Sequence, residues 1–153
     1  MATVLVLGGG IGGAAAANAL HERLGERHRI VVVDRDAEQV FAPSLLWLMV
    51  GQRKPAAISR PLAKLLRPGI EIVYGHVREL DPAARRVATD GGELTGDAIV
   101  VALGAELAPE AIPGYADAAH DFFTLEGAER FASALGTAIP ALCRPRTSRP
   151  PTA

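Results

Sequence analysis

The polarity pattern opens with a short apolar run, Thr3-Val4-Leu5-Val6-Leu7, cut off by Gly8-Gly9-Gly10-Ile11-Gly12-Gly13. A brief apolar run bounded by a turn signal predicts a buried strand over 3–7. Ala14 to Ala17, Ala19 and Leu20 follow, predicting a helix over 12–24 that Leu24-Gly25 stops. Small side chains there suit close packing on a sheet, although alanine's helix propensity alone accounts for them. Ile30-Val31-Val32-Val33, closed by Asp34, predicts a second strand over 29–34. Phe41 to Gly51 reads as a short apolar helix that Ser44 caps and Gly51 ends. Pro61 to Leu66 is a further helical piece with Pro61 near its first turn, ended by Pro68-Gly69. Ile70 to Tyr74 reads as the third strand of the main sheet.

The pattern then shortens. Val77 to Leu80, Arg85 to Thr89 and Glu93 to Thr95 are separated by Asp81-Pro82 and Asp90-Gly91-Gly92, which predicts a small antiparallel meander. Ala98 to Leu103 is a buried strand ending at Gly104, and a Pro- and Ala-containing loop leads to Thr124, the cap of a last helix reaching about Leu135.

Strands alternating with helices give an α/β fold. Gly8, Gly10 and Gly13 form G-x-G-x-x-G between strand and helix, and Asp34 lies 21 residues beyond Gly13 at the end of the second strand. That full context is the dinucleotide-binding fingerprint, which a glycine-rich turn in an ordinary α/β protein would not reproduce in register. Gly8 permits the tight turn, Gly10 leaves room for a pyrophosphate and Gly13 lets helix and sheet approach. Gly12 belongs to the same turn. The helix N-terminus faces the phosphates with free N–H groups. Asp34 accepts hydrogen bonds from a ribose 2′-hydroxyl and repels a 2′-phosphate, so the adjacent Arg35 is thin support for a 2′-phosphorylated cofactor.

Composition narrows the function classes. The 153 residues are 49% hydrophobic and 22% charged with a net charge of −1, and no basic face points to nucleic acid. The apolar start lacks a preceding Lys or Arg and is interrupted too soon for a signal peptide. No apolar run approaches the roughly 20 residues of a membrane helix. A single cysteine, Cys143, excludes an internal disulfide, and a cytoplasmic location is the expectation. His21, His28, His76 and His120 lack ligand spacing and read as solvated or loop residues. Trp47, with Leu45, Leu46, Leu48 and Met49, reads as the core-facing side of its helix in preference to a flavin or quinone pocket. Arg85-Arg86 reads as a solvated hairpin end. No catalytic residue stands out.

Glycine fingerprint, meander and a strand ending in Ala-x-Gly, in that order, resemble the FAD domain of pyridine nucleotide–disulfide oxidoreductase-like flavoproteins. Phe41-Ala42-Pro43-Ser44-Leu45, Val101-Ala102-Leu103-Gly104-Ala105 and Ile112-Pro113-Gly114 are most similar to sulfide:quinone oxidoreductase-like members. The resemblance spans roughly residues 2–136. It implies a Rossmann-like FAD/NAD(P)-binding three-layer domain over 1–136, incomplete at its C-terminal side. It implies FAD, with NAD the lesser candidate, held by Gly8, Gly10 and Gly13 at the pyrophosphate and by Asp34 at the ribose. Val77 would touch the adenine through its main chain, Pro43 would pass near the flavin, and Ala102 to Gly104 would form the turn beside the cofactor. Leu103 replaces that turn's usual threonine and leaves only a backbone role.

The implied activity is flavin-mediated electron transfer from sulfide or another small donor towards a quinone. The family's second fingerprint, later Gly-Asp motif and redox cysteines do not occur in this sequence. Residues 137–153 read as an irregular tail: from Pro140 on, four of the eleven prolines and three arginines fall in fourteen residues. A truncated or frame-shifted product is the expectation, with a natural disordered tail as its rival. A non-catalytic dinucleotide-binding module, paired with a partner supplying the missing half, and an inert fragment remain alternatives. Cys143 lies in this tail and carries no redox assignment.

Overall fold

The computed structural model describes residues 1–142, with side chains to residue 136. In chain order the elements are β1 (Thr3–Leu7), α1 (Ile11–Leu24), β2 (Arg29–Asp34), β3 (Glu38–Val40), α2 (Leu45–Met49), α3 (Pro55–Ile58), β4 (Ser59–Pro61) and α4 (Leu62–Leu65). There follow β5 (Glu71–Tyr74), β6 (Val77–Asp81), β7 (Arg86–Thr89), β8 (Gly92–Thr95), β9 (Ala98–Val101), α5 (Tyr115–Ala118) and α6 (Leu125–Leu142). The chain has two compact units. The first is Met1–Phe41 with Ser59–Leu107; the second is Ala42–Ile58 with the chain from Ala108 onward.

The first unit is Rossmann-like. Four parallel strands lie in the order β5-β2-β1-β9, with Leu5 beside Val31 and Ile99. Both faces of β1 and β2 are covered, which explains why their sequences are nearly continuous apolar runs rather than alternating ones. Leu5, Leu7, Val31 and Val33 meet Val87 of the β6-β7-β8 meander, with Val77, Leu80 and Leu94 packed around them. Val6, Ile30 and Val32 point the other way, onto Ala14 and Ala17 of α1 and onto Leu62 and Leu66. The result is the expected three layers: helix, sheet, meander. Each fully buried Val or Leu contributes about 1.5–3 kcal/mol of transfer free energy, so β1 and β2 are the main anchors of the unit. The short antiparallel pair β3 and β4, with Gln39 opposite Arg60, was not foreseen.

In the second unit α2 buries Leu45 and Leu48 and exposes Leu46 and Trp47. This corrects the core placement expected for Trp47: the residue is 44% exposed, and the Arg53 guanidinium lies 5.0 Å from its ring centroid. Ser44 stands at the start of α2 without capping it: its backbone is already helical, with φ −83° and ψ −7°, and its Oγ accepts from Arg53 Nη1 at 2.7 Å. Thr124 does cap α6, its Oγ1 accepting from the Gly127 N–H at 2.9 Å. The helix runs to Leu142 rather than ending near Leu135, so the first residues of the expected irregular tail are helical. Cys143 and the remainder of that tail lie outside the described residues.

Asp121 secures the entry to α6. Its Oδ1 accepts from the N–H groups of Phe123 and Thr124 and from Thr124 Oγ1, and Arg130 Nη2 lies 3.3 Å from Oδ2. Desolvation pushes its pKa up, but the Thr124 and Phe123 hydrogen bonds and the Arg130 charge outweigh it and hold the group below the usual carboxylate value. A depressed native pKa contributes stability that is present above the unfolded value of about 3.9 and lost as pH falls through the native one. Asp121→Asn is therefore expected to melt below the wild type at pH 6, with the gap closing as pH falls below about 4. Thermal melts followed by helical circular dichroism check this; a gap independent of pH would contradict it.

Candidate dinucleotide site

The C-terminal ends of β1, β2 and β9 converge on one cleft of about 480 Å³ within the first unit. β1 is flanked by β2 on one side and β9 on the other: the sheet first grows from β1 through β2 to β5, and the chain then returns past the meander to add β9 on the opposite side. Ligands of open α/β sheets sit in the crevice at such a switch point, outside the carboxyl ends of the strands. Backbone hydrogen bonds close the base of the cleft: the Gly8 N–H donates to Val33 O at 2.8 Å, and the Ala102 N–H donates to Leu7 O at 2.7 Å. The Gly75 N–H, just after β5, donates to Asp34 O at 2.9 Å.

The glycines of the turn have separable reasons. Gly8 has φ +98°, and a Cβ there would lie 2.3 Å from Ala102 O. A Cβ on Gly13 would lie 1.7 Å from Gly8 O, so the first turn of α1 presses on the strand end that it follows. These two are demanded by the protein's own packing. Gly10 and Gly12 are different: a Cβ on Gly10 would find only Gln39 Oε1 at 4.0 Å, and one on Gly12 would meet nothing within 4 Å. Both line the cleft at the N-terminus of a 14-residue helix, where unpaired N–H groups and the positive dipole end favour an anion. The open space therefore fits a pyrophosphate approaching the backbone closely.

Asp34 is held in place. Its Oδ2 accepts the Gly9 N–H and its Oδ1 accepts the Asp36 N–H at 2.8 Å. Each carboxylate oxygen retains acceptor capacity, so a ribose hydroxyl can still bind. Arg35 Nη1 donates to Glu106 Oε1 across the cleft mouth and Nε donates to Asp36 Oδ2 at 3.3 Å. The Glu106 hydrogen bond and charge raise the Arg35 pKa further, so it stays cationic.

Of the expected binding residues, the cleft gathers Gly8, Gly10, Gly12, Asp34, Arg35, Val77, Ala102 and Gly104. Gly13 lies beneath the turn and is not a lining residue. Pro43 is in the second unit and does not line the cleft. Leu103, where a threonine was usual, lines it with an apolar side chain. Sequence reasoning missed Gly9, whose N–H reaches Asp34 and whose Cβ would lie 2.6 Å from Leu62 Cδ2. It also missed Asp36, Gln39, His76 and Glu106, which the fold brings to the cleft from separate segments. His76, read as a loop residue, is one, but it faces the cleft. Among the described residues no group of His, Cys, Asp and Glu could hold a metal ion, and no helix is long and apolar enough to cross a membrane.

The sequence profile described as "Pyridine nucleotide-disulphide oxidoreductase" matches residues 2–139. The mitochondrial sulfide:quinone oxidoreductase of Mus musculus is 32% identical over 114 residues, covering 72% of this chain and 25% of that protein. The sulfide-quinone reductase of Aquifex aeolicus is 36% identical over 106 residues, covering 68% of this chain and 24% of that protein. The crystal structure of the Aquifex aeolicus sulfide:quinone oxidoreductase superimposes with a TM-score of 0.81 at 28% identity, over 92% of this chain and 33% of that one. The chain thus spans about a quarter of the length of these curated relatives.

Proposed function

The chain belongs to the pyridine nucleotide-disulphide oxidoreductase family, and on that premise we propose that its cleft binds the adenosine and pyrophosphate side of FAD. It resembles the N-terminal FAD-binding region of sulfide:quinone oxidoreductases, within a family of flavin- and nucleotide-binding oxidoreductases. The observation that carries the cofactor reading is the contrast within the glycine turn. Gly10 and Gly12 leave a space that none of the described residues fills, beside the Asp34 carboxylate, which two backbone N–H groups hold in place.

In this reading the N–H groups at the start of α1 meet the pyrophosphate, and Asp34 orients the adenosine ribose. Val77, at the start of β6, offers its main chain to the adenine. Ala102, Leu103 and Gly104 border the cleft through the turn after β9. Pro43 remains a candidate neighbour of the flavin. Bound FAD would supply the two-electron chemistry, while the protein contributes grip and orientation. For the protein that contains this region, we propose electron transfer from sulfide or another small reductant to a quinone. Sulfide and quinone are the compounds for which its relatives are named.

A grip on the adenosine side predicts a ligand ranking. FAD and ADP-ribose are expected to raise the melting temperature, whereas FMN, which lacks the adenosine half, is not. At one hundred times Kd, binding adds about 2.7 kcal/mol to native stability, which is readily seen as a thermal shift. Equal shifts with FMN and FAD, or none with either FAD or ADP-ribose, would overturn the assignment.

A further inference from the structure

We propose that Glu106 is a specificity-determining residue: by holding and neutralising Arg35, it restricts the ribose end of the cleft to dinucleotides with a free 2′-hydroxyl. This rests on the dinucleotide reading of the cleft given above. Arg35 follows Asp34 directly at the end of β2, where a cation is suited to receive a 2′-phosphate. The guanidinium is already engaged, through Nη1 to Glu106 and through Nε to Asp36. Glu106 comes from beyond the turn that follows β9, so the pair joins the two walls of the cleft.

Asp34, Asp36 and Glu106 set three carboxylates against the single guanidinium of Arg35, and all four residues line the cleft. This end is therefore net negative despite the arginine. A 2′-phosphate would have to enter that field and compete with Glu106 for the guanidinium. A ribose hydroxyl faces neither cost and finds acceptor capacity on Asp34. Asp34 alone disfavours the phosphate by its charge. Glu106 adds a second effect by occupying the Arg35 guanidinium, which would otherwise be free to receive it. Arg35 and Glu106 side chains are 49% and 70% exposed, so water screens the pair and the expected effect is graded rather than absolute.

The test compares ADP-ribose with 2′-phospho-ADP-ribose by calorimetric titration of the full chain. Three proteins are used: wild type, Glu106→Gln, and Glu106→Gln combined with Arg35→Gln. The wild type is expected to prefer ADP-ribose. Glu106→Gln should narrow that preference about fivefold, the size expected for one partly screened charge at this range. Removing Arg35 as well should restore the wild-type preference. An unchanged preference in Glu106→Gln, or equal narrowing with and without Arg35, would overturn the proposal. Failure of the wild type to bind ADP-ribose would strike the dinucleotide reading first, since that ligand has no 2′-phosphate for Glu106 to exclude, and this proposal with it.

Discussion

Gly13→Ala is expected to cost about 3 kcal/mol of stability, at the upper end for overpacking, because the new methyl meets backbone. The Cβ would stand 1.7 Å from Gly8 O. That oxygen cannot swing aside as a side-chain tip could. The turn between β1 and α1 must shift, and with it the contact of Ala14 and Ala17 with Val6 and Val32. In a chain of this size, 1 kcal/mol moves the melting temperature by roughly 2–4 °C, so a fall near 10 °C is expected. Gly12→Ala, one position earlier, meets nothing within 4 Å and lies inside α1. It should gain up to about 1 kcal/mol from alanine's better helix propensity. Urea unfolding of the two variants measures this directly. Similar midpoints for both would mean that the turn is not packed as described.

The second large effect concerns binding without loss of fold. Gly10→Ala places a methyl in the cleft, where only Gln39 Oε1 lies as close as 4.0 Å. The backbone at Gly10 is extended, with φ −63° and ψ −171°, which alanine adopts freely. Losing glycine at the helix start costs at most about 1 kcal/mol. For a pyrophosphate lying against that backbone, however, the methyl removes the closest approach. FAD affinity is expected to fall at least about thirtyfold, equivalent to roughly 2 kcal/mol. Fluorescence quenching of FAD during titration measures it, alongside a melt showing the protein folded. Unchanged affinity would place the ligand elsewhere.

Much of the fold was legible because its centre is simple. β1 and β2 are covered on both faces, so their burial appears as unbroken valine, leucine and isoleucine runs with sharp glycine and aspartate ends. The meander was legible through its turn residues. β3 and β4 were not: Glu38-Gln39-Val40 and Ser59-Arg60-Pro61 are too short and polar to show alternation, and they pair across a long sequence gap. Gly136 and Pro140 are poor helix formers and hid the extent of α6. Trp47 misled because an apolar five-residue helix buries only one side, and the side containing Leu45 and Leu48 prevailed.

The candidate site was half legible. The glycines and Asp34 sit at fixed spacings within one strand–turn–helix–strand segment, and Gly8 and Gly13 are further demanded by the packing of that segment. Glu106, Gln39 and His76 carry no such pattern. They reach the cleft only because β9 ends beside β1, β5 ends beside β2 and β3 borders the same opening, a consequence of tertiary topology rather than of spacing.

The most direct test of the central claim is the absorbance spectrum of the purified full chain, incubated with FAD and then passed through a desalting column. Near-stoichiometric flavin bands between about 350 and 500 nm, displaced by excess ADP-ribose, are the predicted result. A spectrum without retained flavin, together with no ADP-ribose binding, would contradict the assignment of this cleft to FAD.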